Sequence, residues 1–403
     1  MCSSRHEHLL NETSILLSRS LDVLGYSSWM IDRRRKITHE IEGKYNVLGP
    51  GHIEIHIHGQ LADGIAKEDE SVVKCRIIPT DIVCVDSVEL VDMSDTRGKT
   101  VLVTDRSNSP PGYVSLRLLS FENGDHSRTI RKITFGEKEV VWSSLFLRHF
   151  EEMYPCIRGE AYHPDIGKRT RLSYGIQYMR SGGHLHTRGW TRSQEVVLIP
   201  RGSDRSDRSF LEWEIRYVTA EREKTNAMNM VQLKLLCLLR YIRKIILQQT
   251  STNITSYAMK NVVFFLTDRL PENTFQDEKL LQLLVTSIKW LETCVQDGHL
   301  PHYFIPERNL LTETTRQPYH KEKLLACLQN VQREKMAGLL RFQRLSKTLY
   351  MTQYYSQNLN TWMAGRDKAE TDRMTMKKER FVGKVFAESE MRSFGAFHVP
   401  LPF

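Results

Sequence analysis

Apolar positions between residues 8 and 25 recur near helical spacing, with Leu9, Ile15, Leu16, Leu21 and Leu24 on one side. Ser27 or Ser28 can cap a second helix that runs past Trp29 toward Tyr45. The run NVLGPGH then stops it, because the Gly-Pro-Gly sequence cannot continue a helix. The pattern changes at IEIHIH, residues 53–58, where strict alternation predicts a half-buried strand with Ile53, Ile55 and Ile57 inward. Further strand-like runs are expected at 75–78, 82–85, 88–91, 101–104 and 114–119, with SNSPPG at 107–112 among the breaks. Residues 139–154 read as a helix, and 195–199 and 210–218 as strands.

From Glu221 onward the pattern is helical, with predicted helices at 222–248, 255–269, 277–297 and 319–345. Residues 356–403 mix polar and charged runs with little apolar period, which predicts a loosely structured tail. Strands first and helices afterwards predict an α+β domain followed by an α domain. The boundaries this suggests are 1–46 for N-terminal helices, 47–218 for the mixed domain, 219–345 for the helical one and 346–403 for the tail.

Composition adds bounds. Of 403 residues, 40% are apolar and 26% charged, as in ordinary globular proteins. The most apolar stretch, 230–247, carries Lys234, Arg240, Arg243 and Lys244, so it reads as a core helix and no membrane partner is expected. The first residues, MCSSRHEHLLNE, are polar, so secretion is not expected. Seven scattered cysteines without a CxxC pair suit reduced thiols in a cytoplasmic or nuclear protein and argue against a zinc finger. The formal charge is +9, which favours acidic partners. Between Arg158 and Arg208 there are ten Lys or Arg against five Asp or Glu. Lys168, Arg169, Arg171, Arg180, Arg188 and Arg192 are interleaved there with Tyr174, Tyr178 and Trp190, a mixture that can track a nucleic-acid backbone. A solvated surface gives the same pattern.

Three blocks carry a resemblance. They are IHIHGQLADGIAKEDESVVK at 55–74, FLEWEIRYVTAERE at 210–223, and TSYAMKNVVFFLTDRL at 255–270 with HLPHYFIPERNLL at 299–311. In this order they resemble the Mab-twenty-one family and its relatives, the cyclic GMP-AMP synthase and the cGAS-like receptors. The resemblance covers about residues 8–340. It implies a nucleotidyltransferase-like lobe with an N-terminal spine helix, then a helical lobe of helix-hairpin-helix type.

Nucleotidyl transfer needs a Gly-Ser turn on the phosphates and carboxylates that hold magnesium. The family's pattern is Gly-Ser, then Ser-Asp-x-Asp on the next strand. Here the turn is Gly59-Gln60, and the acid positions fall on Val72 and Lys74. A protonated lysine repels a metal ion. The expected reading is therefore a catalytically silent nucleotidyltransferase-fold protein with a binding or regulatory role. Gly59, Gln60 and Lys74 are its candidate nucleotide-binding residues, and it has no metal ligand or cofactor. Two alternatives stay open. One is a nucleic-acid sensor that synthesises a cyclic dinucleotide with magnesium; the other is a structural or developmental interaction module. The partners expected are a nucleotide or double-stranded nucleic acid, and a protein partner is not identified. His52, His56 and His58 share a strand face, and without an acid or cysteine beside them they read as its polar side. The His302-Tyr303-Phe304 block reads as helix packing.

Overall fold

In the computed structural model the described residues are 2–48, 53–57, 59–60, 62–65, 75–79, 82–85, 99–121, 132–135, 138–141, 154–155, 157–162, 193–250, 254–312, 314–334 and 336–393. They fall into two compact units, one of 2–32 with 224–370, the other of 33–162, 193–223 and 371–393.

The first unit is helical. It begins with α1 (Cys2–Leu21), which runs into a π-helical turn at Asp22–Tyr26. Gly25 there has φ 101°, a left-handed conformation that an L side chain resists, and it ends the run of helix. The second unit holds most of α2 (Ser28–Leu48), which follows.

A helix predicted over 222–248 is two helices, α3 (Val218–Asn226) and α4 (Met230–Thr250). The break has a local cause. Asn229 Oδ1 accepts from the Gln232 amide (3.0 Å), while Gln232 Oε1 accepts from the Asn229 amide (2.9 Å). That reciprocal pair is a capping box, so a new helix starts at Met230. Within α4, Leu235, Leu238, Leu239, Ile242 and Ile246 are fully buried, and the expected core helix is present.

Around it lie α5 (Ser256–Arg269), α6 (Leu280–Asp297) and α7 (Pro318–Glu334). Thr255 caps α5 by accepting from the Ala258 amide at 3.0 Å. Gly298 ends α6 in the left-handed region at φ 68°. Four cysteines, Cys84, Cys237, Cys294 and Cys327, are buried as thiols. Burial pushes the Cys294 thiol up to about 12 and the Cys327 thiol up to about 11, so both stay protonated.

The tail is where the sequence expectation departs furthest from the structure. Instead of loose chain over 346–393, there are α8 (Gln343–Tyr354) and α9 (Leu359–Ser393), and 394–403 lie outside the described residues. Leu345 and Leu349 of α8 are buried, and Arg366 of α9 donates to the Asp22 carbonyl at 3.0 Å. In the other unit, Lys378 of α9 pairs with Glu40 of α2 at 2.7 Å. These helices are held by sparse anchors, which is why no apolar period announces them.

The second unit contains the strands. β1 (Ile53–Ile57) pairs antiparallel with β2 (Cys75–Pro79), and Ile57 stands opposite Cys75. A larger mixed sheet comprises β3 (Ile82–Val85), β4 (Thr100–Asp105), β5 (Tyr113–Ser120), β6 (Lys132–Phe135) and β7 (Lys138–Val141). Beyond the two-residue β8 (Tyr154–Pro155), which joins β2, it continues with β9 (Ile157–Tyr162), β10 (Ser193–Ile199) and β11 (Glu212–Arg216). The first residues of β5 also pair with β11, so six strands curl round and meet. Residues 139–141, expected as helix, lie instead in the β6–β7 hairpin, where Ile133 opposes Val140. β-branched pairs of this kind favour extended backbone. The expected strand at 88–91 lies outside the described residues.

Candidate functional site

The candidate turn is built where β1 ends. Gly59 has φ 74°, and its carbonyl accepts from the Asp63 amide at 2.9 Å. The Gln60 carbonyl accepts from the Ile65 amide at 3.1 Å, which closes a helix-like turn. A Cβ at Gly59 would meet nothing within 4 Å, so the backbone angle, not space, selects glycine there. Ala62, Asp63 and Ile65 are buried beneath the turn.

Helix α2 holds this segment. Arg34, Thr38 and Glu42 follow at four-residue steps and are all buried, so they form one face. Arg34 is 0% exposed, and its Nη1 donates to the Gly64 carbonyl at 3.0 Å. Arg35 Nε donates to the Asp63 carbonyl at 3.1 Å. Two helical turns further on, Glu42 Oε1 accepts from the Ile57 amide at 2.5 Å. Arg222 of α3 forks onto the same carboxylate, with Nη1 at 3.0 Å from Oε2 and Nη2 at 2.6 Å from Oε1. Its Nη2 also donates to the Ile57 carbonyl. The last residue of β1 is thus gripped on both its N–H and its C=O, and the start of the turn is fixed in direction.

Strand β11 supplies buried carboxylates that the sequence reading did not single out. Glu212 and Glu214 are 1% and 2% exposed. Each serves its own unit: Glu212 Oε2 accepts from the Ser203 amide at 2.8 Å, and Glu214 Oε1 meets Arg216 Nη2 at 2.8 Å. The register sets Glu212 opposite Ser115, and Ser115 opposite Asp105, so the three side chains share one sheet face. Asp105 accepts from the Ser107 amide at 3.0 Å and lies 3.7 Å from Arg117 Nε. Among the described residues no group of three or more His, Cys, Asp or Glu is placed to hold a metal ion.

In the helical unit, the HYF block is a packing lock. Asn261 is 0% exposed; its Oδ1 accepts from the Tyr303 amide at 2.6 Å and its Nδ2 donates to the Tyr257 carbonyl at 2.8 Å. His302 Nδ1 accepts from the amides of Phe304 and Ile305, both at 3.1 Å. The Tyr303 hydroxyl donates to Asp268, whose other oxygen meets Lys224. Burial pushes the Tyr303 phenol well above its ordinary range, and the Asp268 charge adds to the rise. A second polar link joins Lys234, 4% exposed, to Ser18 at 2.7 Å and Asp22 at 2.9 Å. Burial raises the Asp22 carboxyl above the usual range, and Lys234 opposes that rise.

Of the sequence candidates, Gly59 and Gln60 are therefore seated in a defined turn. Lys74 and the replaced acid position Val72 lie outside the described residues, as do Lys168, Arg169, Arg171, Arg180, Arg188 and Arg192, and also His52 and His58. Sequence reasoning missed Arg34, Arg35, Glu42 and Arg222. The signal for Arg34 and Glu42 is a buried-face period on α2, which at Arg34 and Arg35 is hidden inside the run Asp32-Arg-Arg-Arg-Lys36 that reads as solvated charge; Arg222, on α3, has no local signal of its own.

No helix among the described residues is long and apolar enough to cross a membrane. Residues 232–333 match the family model for the Mab-21 protein HhH/H2TH-like domain, which spans α4 to α7. No curated protein matches the chain.

Proposed function

We propose, from the premise that the chain belongs to the Mab-21 family through its helical domain at residues 232–333, that it is a nucleotide-binding regulatory protein without transferase chemistry. On this reading the strand-bearing unit is a nucleotidyltransferase-type lobe, and the helical unit is its helix-hairpin-helix-type partner. The observation that carries it is the pairing of a built turn with residues unable to hold metal. Gly59 and Gln60 sit in a turn whose entry is gripped by Glu42 and Arg222, while the acid positions of the family pattern hold Val72 and Lys74. A preset turn can offer backbone N–H groups to phosphate, and a lysine can supply the charge a metal would have given. Gln60 contributes an amide where the pattern has a hydroxyl, so it can hydrogen-bond phosphate or base.

Calorimetric titration with ATP and with GTP, with and without magnesium, tests this. The expected result is binding of one affinity in both conditions, weakened about ten-fold by Lys74→Ala through loss of a charge-assisted contact. Binding that requires magnesium, or conversion of either nucleotide to a cyclic product, overturns it. A second reading rests on the basic and aromatic run that contains Lys168, Arg169, Arg171, Arg180, Arg188 and Arg192. That run suits the phosphates of double-stranded nucleic acid, which a regulatory protein can bind without catalysis.

A further inference from the structure

Twelve large hydrophobic side chains are exposed on the described surface, and four of them, Tyr350, Tyr354, Tyr355 and Trp362, fall within thirteen residues. They form a continuous row of rings. Tyr350 lies 4.8 Å from Tyr354 and 5.9 Å from Tyr355, and Tyr355 lies 6.3 Å from Trp362, all tilted between 45° and 56°. Their side chains are 55%, 63%, 47% and 39% exposed, so each ring keeps surface open to a ligand. On α8, Lys347, Tyr350 and Tyr354 succeed at steps of three and four, which puts an exposed cation at one end of the row. Arg344 is exposed one turn before.

The surrounding chemistry selects the occupant. From Lys335 through Arg366 the chain has five Lys or Arg and no Asp or Glu; Arg341 pairs with Glu334 and Arg366 with Asp367 just outside that run, and Arg344 and Lys347 are the exposed cations on α8 nearest the rings. The exposed side chains between the rings are Gln353, Ser356, Gln357, Asn358 and Asn360, amides and a hydroxyl where the fully buried centre of a protein interface is more apolar. A second copy would bring the same positive charge against itself. What the row offers is π-faces, a positive border and amide hydrogen bonds, and unpaired bases on a phosphate backbone satisfy all three together. A duplex keeps its base faces stacked inside, so it could use only the border.

We propose that the Tyr350–Trp362 face of the helical unit binds single-stranded nucleic acid by stacking bases on its aromatic row. The site shares no residue with the turn at Gly59 and needs no nucleotide bound there.

The test is fluorescence anisotropy of the full chain with a labelled 20-nucleotide oligothymidylate and with a duplex of equal length. Tyr354→Ala and Trp362→Ala remove exposed rings, so both variants keep the fold. The expected result is that each weakens binding of the single strand about ten-fold while Tyr354→Phe keeps it, as stacking requires. Duplex binding stays unchanged in all three. With Arg344 and Lys347 replaced by glutamine, the logarithmic salt slope on the single strand becomes shallower by about 1.4, two phosphates at about 0.7 each. No single-strand binding, or binding equal in wild type and Tyr354→Ala, overturns the proposal. So does self-association of the wild type that Tyr354→Ala abolishes, or selective attachment to anionic vesicles, since either assigns the row to another occupant.

Discussion

Replacing Arg222 with leucine is expected to destabilise the strand-bearing unit by about 3 kcal/mol, the lower end of what breaking a buried ion pair costs. Glu42 is the reason. Its side chain is 8% exposed, and without the guanidinium its charge keeps only the Ile57 amide, with His39 3.8 Å away. Arg222 itself is 28% exposed, and that access to water sets the lower end of the range. The double variant Glu42→Gln, Arg222→Leu should recover part of the loss, because the uncompensated charge is gone. Urea denaturation of the four proteins measures this, and hydrogen exchange at the Ile57 amide reports the same event locally. Strictly additive losses, or an Ile57 amide equally protected in Arg222→Leu, would show that the pair does not hold the end of β1.

The second large effect lies in the helical unit. Phe264→Ala should cost about 3–5 kcal/mol, the usual range for emptying a buried aromatic site. Phe264 is 0% exposed and lies 5.2 Å from the Tyr303 ring and 6.0 Å from Phe304. Tyr303 and Phe304 belong to a segment already pinned by Asn261 and by the His302 side chain, so it cannot collapse into the space. Phe264→Leu refills most of the volume and should lose markedly less. Thermal unfolding followed by circular dichroism checks both, and a loss under about 1 kcal/mol for alanine would mean the block packs loosely.

The elements visible in the sequence share one property: their signal is local. The alternation of IEIHIH marks β1, and the dense apolar run at 230–247 marks α4 despite its four cations. The HYF block is legible as packing because aromatics followed by proline rarely serve anything else. Non-local features are hidden. Glu42 and Arg222 lie 180 residues apart, and neither stands out in its own segment. Glu212 and Glu214 look like the polar positions of an edge strand, yet both are buried, Glu214 opposite residues of both β5 and β10 and Glu212 opposite Ser115 of β5. The break before α4 was readable after all: Asn229 and Gln232 have the spacing of a capping box, which a strong apolar period overrode. α8 and α9 are opposite in kind, since a few anchors such as Leu345, Arg366 and Met374 carry little period.

The proposed role of the Gly59–Gln60 turn is nucleotide binding without metal chemistry. The most direct measurement is a crystal structure of the full chain grown with ATP and magnesium. The account predicts triphosphate against the turn, with Lys74 beside it and no magnesium ion held by protein carboxylates. Two magnesium ions ligated by carboxylates of the strand-bearing unit would contradict it and make the protein a transferase.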